Sequence, residues 1–164
     1  MEELNDELKQ AYKKLKSYLY ADKSLLEEKI LISIFEENLE ENLNNLEQNM
    51  KSCISCYLEQ ISYTLVPKKM EKIEKLSDNI YSNKTKSETY IVESKNIFIK
   101  APIEIHLIAT LWIMKVGEKL DKTLEKNVKG NRLFRDKNGL FKNNSYKLFH
   151  PYFEGYQAFR DEAI

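Results

Sequence analysis

Apolar residues recur every third or fourth position along much of this chain, the period of a helix with one buried stripe. Leu4, Leu8, Tyr12, Leu15 and Leu19 form the first ladder and predict a helix from about Leu4 to Tyr20. ADKS interrupts it, and Ser24 with Glu27 three residues later makes a capping box that opens a second helix. There the ladder is Leu31, Phe35, Leu39, Leu43, Leu46, Met50, Ile54, Tyr57 and Ile61, with no Gly or Pro before Pro67. It predicts a helix of roughly 40 residues, about 60 Å long, bent or broken near the asparagines between 42 and 49. Its mixed period and the short joint favour antiparallel packing on the first helix. A self-associating coiled-coil seam is the alternative.

After Pro67 the pattern changes. The lysine-rich stretch to Ser87 predicts a short helix, Met70 to Leu76, and then a loop. TYIVESKNIFIKA reads as two short strands, Thr89 to Glu93 and Ile97 to Lys100, about a Ser-Lys-Asn turn. Pro102 suits the first position of a third helix reaching about Asn127. That helix is apolar nearly all round from Ile103 to Val116, so it belongs at the centre of the core. Its stripe then narrows to Val116, Leu120 and Leu124, and Gly130 ends it. GNRLF and GLF read as extended pieces joined by RDKNG, whose Asn-Gly is a hairpin signal. Pro151 opens a last helix with Tyr152, Phe153, Tyr156 and Phe159 on one side. The expected fold is mainly α, a helical bundle with a long antiparallel helical pair and a small β-hairpin. Three parts make it up: a helical hairpin over 1–66, a polar linker and β-hairpin over 67–101, and the buried helix, basic segment and terminal helix over 102–164.

Composition supports a globular chain. With 164 residues, 42% hydrophobic and 32% charged, there is enough apolar surface for a real core. The N-terminus MEELNDELKQ has no apolar stretch of the kind a secretory signal needs. The longest apolar run carries Glu104, His106 and Lys115 and falls short of the about 20 apolar residues that span a bilayer. With only two cysteines besides, the expectation is a cytoplasmic protein without a membrane partner. The formal net charge of zero conceals an asymmetry. Residues 1–66 hold thirteen acids against seven bases, whereas 126–149 hold Lys126, Lys129, Arg132, Arg135, Lys137, Lys142 and Lys147 against Asp136 alone.

Few residues suggest chemistry. Cys53 and Cys56 form a CxxC, but within a long helix they read as buried structural cysteines, and a zinc site needs two more ligands. His106, on an apolar face, reads as a core histidine, and His150 as part of the cap of the last helix. YADK at Tyr20 lacks the second aspartate of a polymerase metal box. What remains is the basic segment with interleaved aromatics Phe134, Phe141, Tyr146, Phe149, Tyr152, Phe153 and Tyr156. Cations can neutralise phosphates and rings can stack on unpaired bases; core aromatics with a solvated lysine rim are the other reading.

APIEIHLIATLWIMKVGEKLD, then GNRL, then LFHPYFEGYQAFRDEAI resembles the region before the palm in bacterial reverse transcriptases of the defence-associated, unknown-group kind. The match runs from about Ile99 to Ile164. The resemblance implies an N-terminal, fingers-side portion of an RNA-directed DNA polymerase, a nucleotidyltransferase of antiviral defence, ending where the palm would begin. It implies Mg²⁺ for the parent polymerase, and no cofactor or catalytic residue in this stretch, which alone is expected to be inactive. The implied partners are RNA or an RNA/DNA hybrid and the palm, on the same or a split chain. Asn131 and Arg132 of GNRL and Arg160 and Asp161 of FRD are the motif positions. Together with the charge pattern, they make Lys129, Asn131, Arg132, Arg135, Lys142, Lys147 and Arg160 the candidate RNA-binding residues. The rival expectation is a helical protein–protein interaction module whose partner is a second copy of the chain, docked through the long helix.

Overall fold

A computed structural model describes residues 2–21, 26–72, 90–125, 128, 130–136, 138, 141 and 147–162. The chain forms two compact units, Met1–Glu59 with Pro102–Ile164, and Gln60–Ala101. The first is helical and the second is a β-hairpin. The capping residue Ser24, the segment Leu76 to Thr89, and Lys129, Lys142 and Tyr146 lie outside the described residues.

The expected helical pair is present. Helix α1 (Glu2–Ala21) runs antiparallel to α2 (Leu26–Glu37) and α3 (Leu39–Ser52). The cross-links order the pairing: Tyr20 with Ser33, Lys16 with Glu36, Lys9 with Glu40, and Asn5 with Asn44. These surface contacts are individually weak; the buried stripe between them holds the pair. Leu8, Tyr12, Leu15 and Leu19 of α1 meet Ile32, Phe35, Leu43 and Leu46 in one core cluster.

The second ladder is not one helix. It breaks first at Asn38 (φ −129°, ψ 50°), upstream of the expected asparagines. A break frees backbone carbonyls that need donors. Asn42 supplies one: its carboxamide donates to the Phe35 carbonyl at 2.8 Å, while its N–H returns to Asn38 O at 2.9 Å. The ladder breaks again at Cys53, before the single turn α4 (Ser55–Leu58). Tyr57 is buried there, its hydroxyl accepting from Asn49 at 2.8 Å.

Beyond α4 the helical reading fails. Strand β1 (Ser62–Lys72) pairs antiparallel with β2 (Tyr90–Lys100) in a register from Ser62↔Lys100 to Lys72↔Tyr90. Met70, expected in a helix, is in β1, and Ser94 to Asn96, expected as a turn, lie inside β2. Pro67 is tolerated because both strands are edges, and the ladder is irregular just after it. Tyr63 and Leu65 lie opposite Ile99 and Ile97, and all four are exposed.

The third helix is α5 (Ile103–Trp112), a π-helical turn (Ile113–Gly117) and α6 (Glu118–Thr123). Ile103, Leu107, Leu111 and Met114 face the core, and α5 packs mainly on α1. Trp112 and Val116 are exposed, so this helix is buried on one side and not all round. Two turns beyond Met114 the inward position is Asp121, not Leu120 or Leu124, both of which are exposed. The helix stops at Thr123, with Leu124 extended (ψ 139°), well before Gly130. The terminal helix α7 spans Tyr152–Glu162. No helix of the described residues is long and apolar enough to cross a membrane.

Candidate nucleic-acid interface

GNRLF pairs with the segment before the last helix: Leu133 forms an isolated antiparallel bridge with Phe149, while of GLF only Phe141 is among the described residues. Phe134 N–H donates to the Leu148 carbonyl (3.0 Å), and His150 N–H donates to the Arg132 carbonyl (2.9 Å). Leu133 and Leu148 are buried, which pins both pieces to the core. Asn131 enters this ribbon at φ 51°, left-handed backbone that asparagine tolerates better than most residues. From the other side, the Lys14 ammonium reaches the Lys147 carbonyl (3.3 Å) and lies 4.6 Å from the Phe141 ring centroid. Lys14 is itself buried, and that burial lowers its pKa.

Asp121 organises the ribbon. Its Oδ1 accepts from Arg132 Nε (2.9 Å) and from the Leu133 N–H (3.1 Å), and its Oδ2 accepts from Arg135 Nε (3.2 Å) and Nη2 (2.9 Å). Arg132 also donates to the carbonyls of Asp121, Glu125 and Val128 at 3.0, 3.1 and 3.1 Å. The guanidinium thereby closes the carbonyl end of α6, where cations are favoured. Arg135 reaches the Glu118 carbonyl at 3.3 Å. Burial pushes the Asp121 carboxyl upward, but hydrogen bonds from Arg132, Arg135 and Leu133 N–H outweigh it and hold the carboxyl below the ordinary range.

The candidate residues therefore divide. Asn131, Arg132, Arg135 and Lys147 come together around the bridge, with both arginines drawn inward by Asp121. Asp121, Arg132 and Arg135 join His150, Glu154 and Gly155 of the α7 entrance in lining an open cleft of about 320 Å³. Among the described residues two guanidiniums and two carboxylates line it, so that part of the lining carries balanced charge. On the ribbon's other side, the Lys147 ammonium sits 5.2 Å from the Phe134 ring, which is tilted against the His150 imidazole at 5.2 Å. His150 thus contributes its backbone to the bridge and its ring to this cluster. Arg160 is not in the cleft lining; it pairs with its neighbour Asp161 at 3.1 Å on an exposed part of α7. The same helix exposes Phe153, Tyr156 and Phe159 at 66%, 53% and 56%.

Sequence reasoning missed Asp121 and Glu118. A search for acids at helical spacing just before the basic segment finds both, since they fall immediately outside its start. It also misplaced the cysteines: Cys53, between α3 and α4, is exposed, and Cys56, in α4, is only partly buried. His106 is half-buried on α5, where its carbonyl accepts from the Thr110 hydroxyl at 2.8 Å. Among the described residues no group of three or more His, Cys, Asp or Glu is placed to hold a metal ion. Asp121, engaged by two guanidiniums, does not fit the part of a Mg²⁺ ligand, so no step through that metal is assigned to this chain. No family model, curated protein or solved structure matches the chain.

Proposed function

We propose that this chain is the N-terminal, fingers-side portion of a bacterial RNA-directed DNA polymerase of the antiphage-defence type, without the catalytic palm. One observation carries the reading beyond sequence resemblance: the three separately resembling segments are physically coupled. Asp121 of KLD binds Arg132 of GNRL, and GNRL bridges to LFHP through Leu133 and Phe149. In this reading the palm covers the aromatic side of α7, and the exposed Phe153 and Phe159 are the surface it meets. In this reading the chain alone performs no polymerisation; it positions template through two exposed cations, Lys147 and Arg160, and Arg132 supports the scaffold.

The direct test is the reading frame after codon 164. The expected result is an in-frame or adjacent segment encoding a strand with metal-holding aspartates, and its absence from the locus defeats the reading. A binding test follows. The purified chain is expected to bind single-stranded RNA weakly, with affinity falling steeply between about 50 and 200 mM salt. Lys147→Ala and Arg160→Ala should each reduce the salt slope by about 1.

A second reading, a self-associating helical module in the same cellular compartment, has its own support. Leu26, Ile30 and Ile34, spaced four apart on α2, are exposed at 72%, 50% and 56%. Salt-insensitive dimers in light scattering, abolished by Ile30→Glu and accompanied by no RNA binding, would select it.

A further inference from the structure

The CxxC at Cys53 and Cys56 is not in the place its sequence suggests. Here α3 ends at Ser52, Cys53 leaves the helical conformation (φ −155°, ψ 72°), and α4 begins at Ser55. Cys53 occupies the joint, and Cys56 is the second residue of α4. Cys53 is exposed and Cys56 is partly buried against the core. The Cys56 thiol donates to the Cys53 carbonyl at 2.8 Å, and the Cys53 sulfur lies 3.4 Å from the Ser55 hydroxyl. The Cys56 sulfur is thus held against the Cys53 backbone, and the two thiol side chains interact directly, each shifting the titration of the other.

We propose that Cys53 and Cys56 form a redox-active dithiol that exchanges with small-molecule disulfides, Cys53 attacking and Cys56 resolving. The roles follow from exposure and local contacts. Cys53 is the thiol a disulfide can reach from solvent, and the Ser55 hydroxyl and then the Cys56 N–H hold its pKa below the usual value. Burial, and then the charge of Cys53, push Cys56 the other way. The Cys53 thiolate attacks one sulfur of R–S–S–R; that S–S bond breaks, and RS⁻ leaves and takes a proton from water. The Cys56 thiol then gives its proton to solvent and attacks Cys53 Sγ. The mixed disulfide breaks, releasing the second RS⁻, which is protonated in turn. The protein's two thiols are oxidised by two electrons to one intrachain disulfide, and the small disulfide is reduced to two thiols. This inference is independent of the polymerase reading, because none of the residues of the ribbon takes part.

The test uses the whole chain equilibrated with mixtures of reduced and oxidised glutathione, followed by acid quench, alkylation and mass spectrometry. The expected result is loss of both thiols together in one two-electron transition, with no stable glutathione adduct. Cys56→Ser should instead accumulate one glutathionyl group on Cys53. Cys53→Ser should react at least about tenfold more slowly, and far-UV dichroism should show both variants as helical as the parent. Two outcomes overturn the proposal: glutathionylation of the two cysteines independently in the parent, or equal adduct formation by the two single variants. Either would leave two ordinary surface thiols.

Discussion

Asp121→Asn is expected to destabilise the helical unit by about 3–5 kcal/mol, the cost of stranding buried charges by removing their partner. The carboxylate is 5% exposed and receives both guanidiniums and the Leu133 N–H. An amide keeps the shape and one acceptor but turns an NH₂ toward donors. Denaturant unfolding followed by far-UV dichroism measures the loss. The pH dependence identifies its origin. Because the folded carboxyl titrates below its unfolded value, its contribution is fully present above about pH 4 and fades as pH falls through the folded pKa. The parent should lose stability on acidification through that window, and the Asn variant should lose less. A variant as stable as the parent, with the same acid profile, would show that the arginines find other partners at no cost.

The second large effect is expected at Leu107. It is fully buried on α5, within the cluster that joins α1, α2, α3 and the ribbon. Leu107→Ala should cost about 2–5 kcal/mol, combining lost burial with the cavity left behind. Exposed Leu120 on α6 is the matched control, and Leu120→Ala should change the unfolding midpoint little. Equal losses at the two sites would contradict the assignment of the core to one side of this helix.

The contrast between these leucines shows what the sequence could reveal. The α1 ladder and the inward positions Phe35, Leu43 and Leu46 were legible because burial enforces a three-and-four spacing. The break at Asn38 was not, because the apolar ladder continues across it. The side-chain hydrogen bond from Asn42 that satisfies the freed Phe35 carbonyl is not encoded in spacing either. Strand β1 was hidden for a related reason. Ile54, Tyr57 and Ile61 continue the helical steps, and a two-stranded ribbon exposed on both faces lacks the alternation that marks a half-buried strand. Beyond Met114 the apolar residues Val116, Leu120 and Leu124 suggest a stripe that the fold leaves exposed, since the inward position is a charged aspartate, Asp121. In the ribbon, the basic segment was visible as a run of charge. That Arg132 and Arg135 are held by Asp121 and Glu118 depends on a fold-back of eleven to seventeen residues, which no local window reads.

The bridge between Leu133 and Phe149 has a consequence for variation among related chains. It clasps the segment that leads into α7 where that segment returns to the helical body, so the residues between form a closed excursion. Closing such an excursion costs only about 0.6 kcal/mol more for each doubling of its length. Phe141, itself part of the core, ties that stretch down a second time, so changes of length are expected on either side of it while the bridge fixes where the chain enters α7.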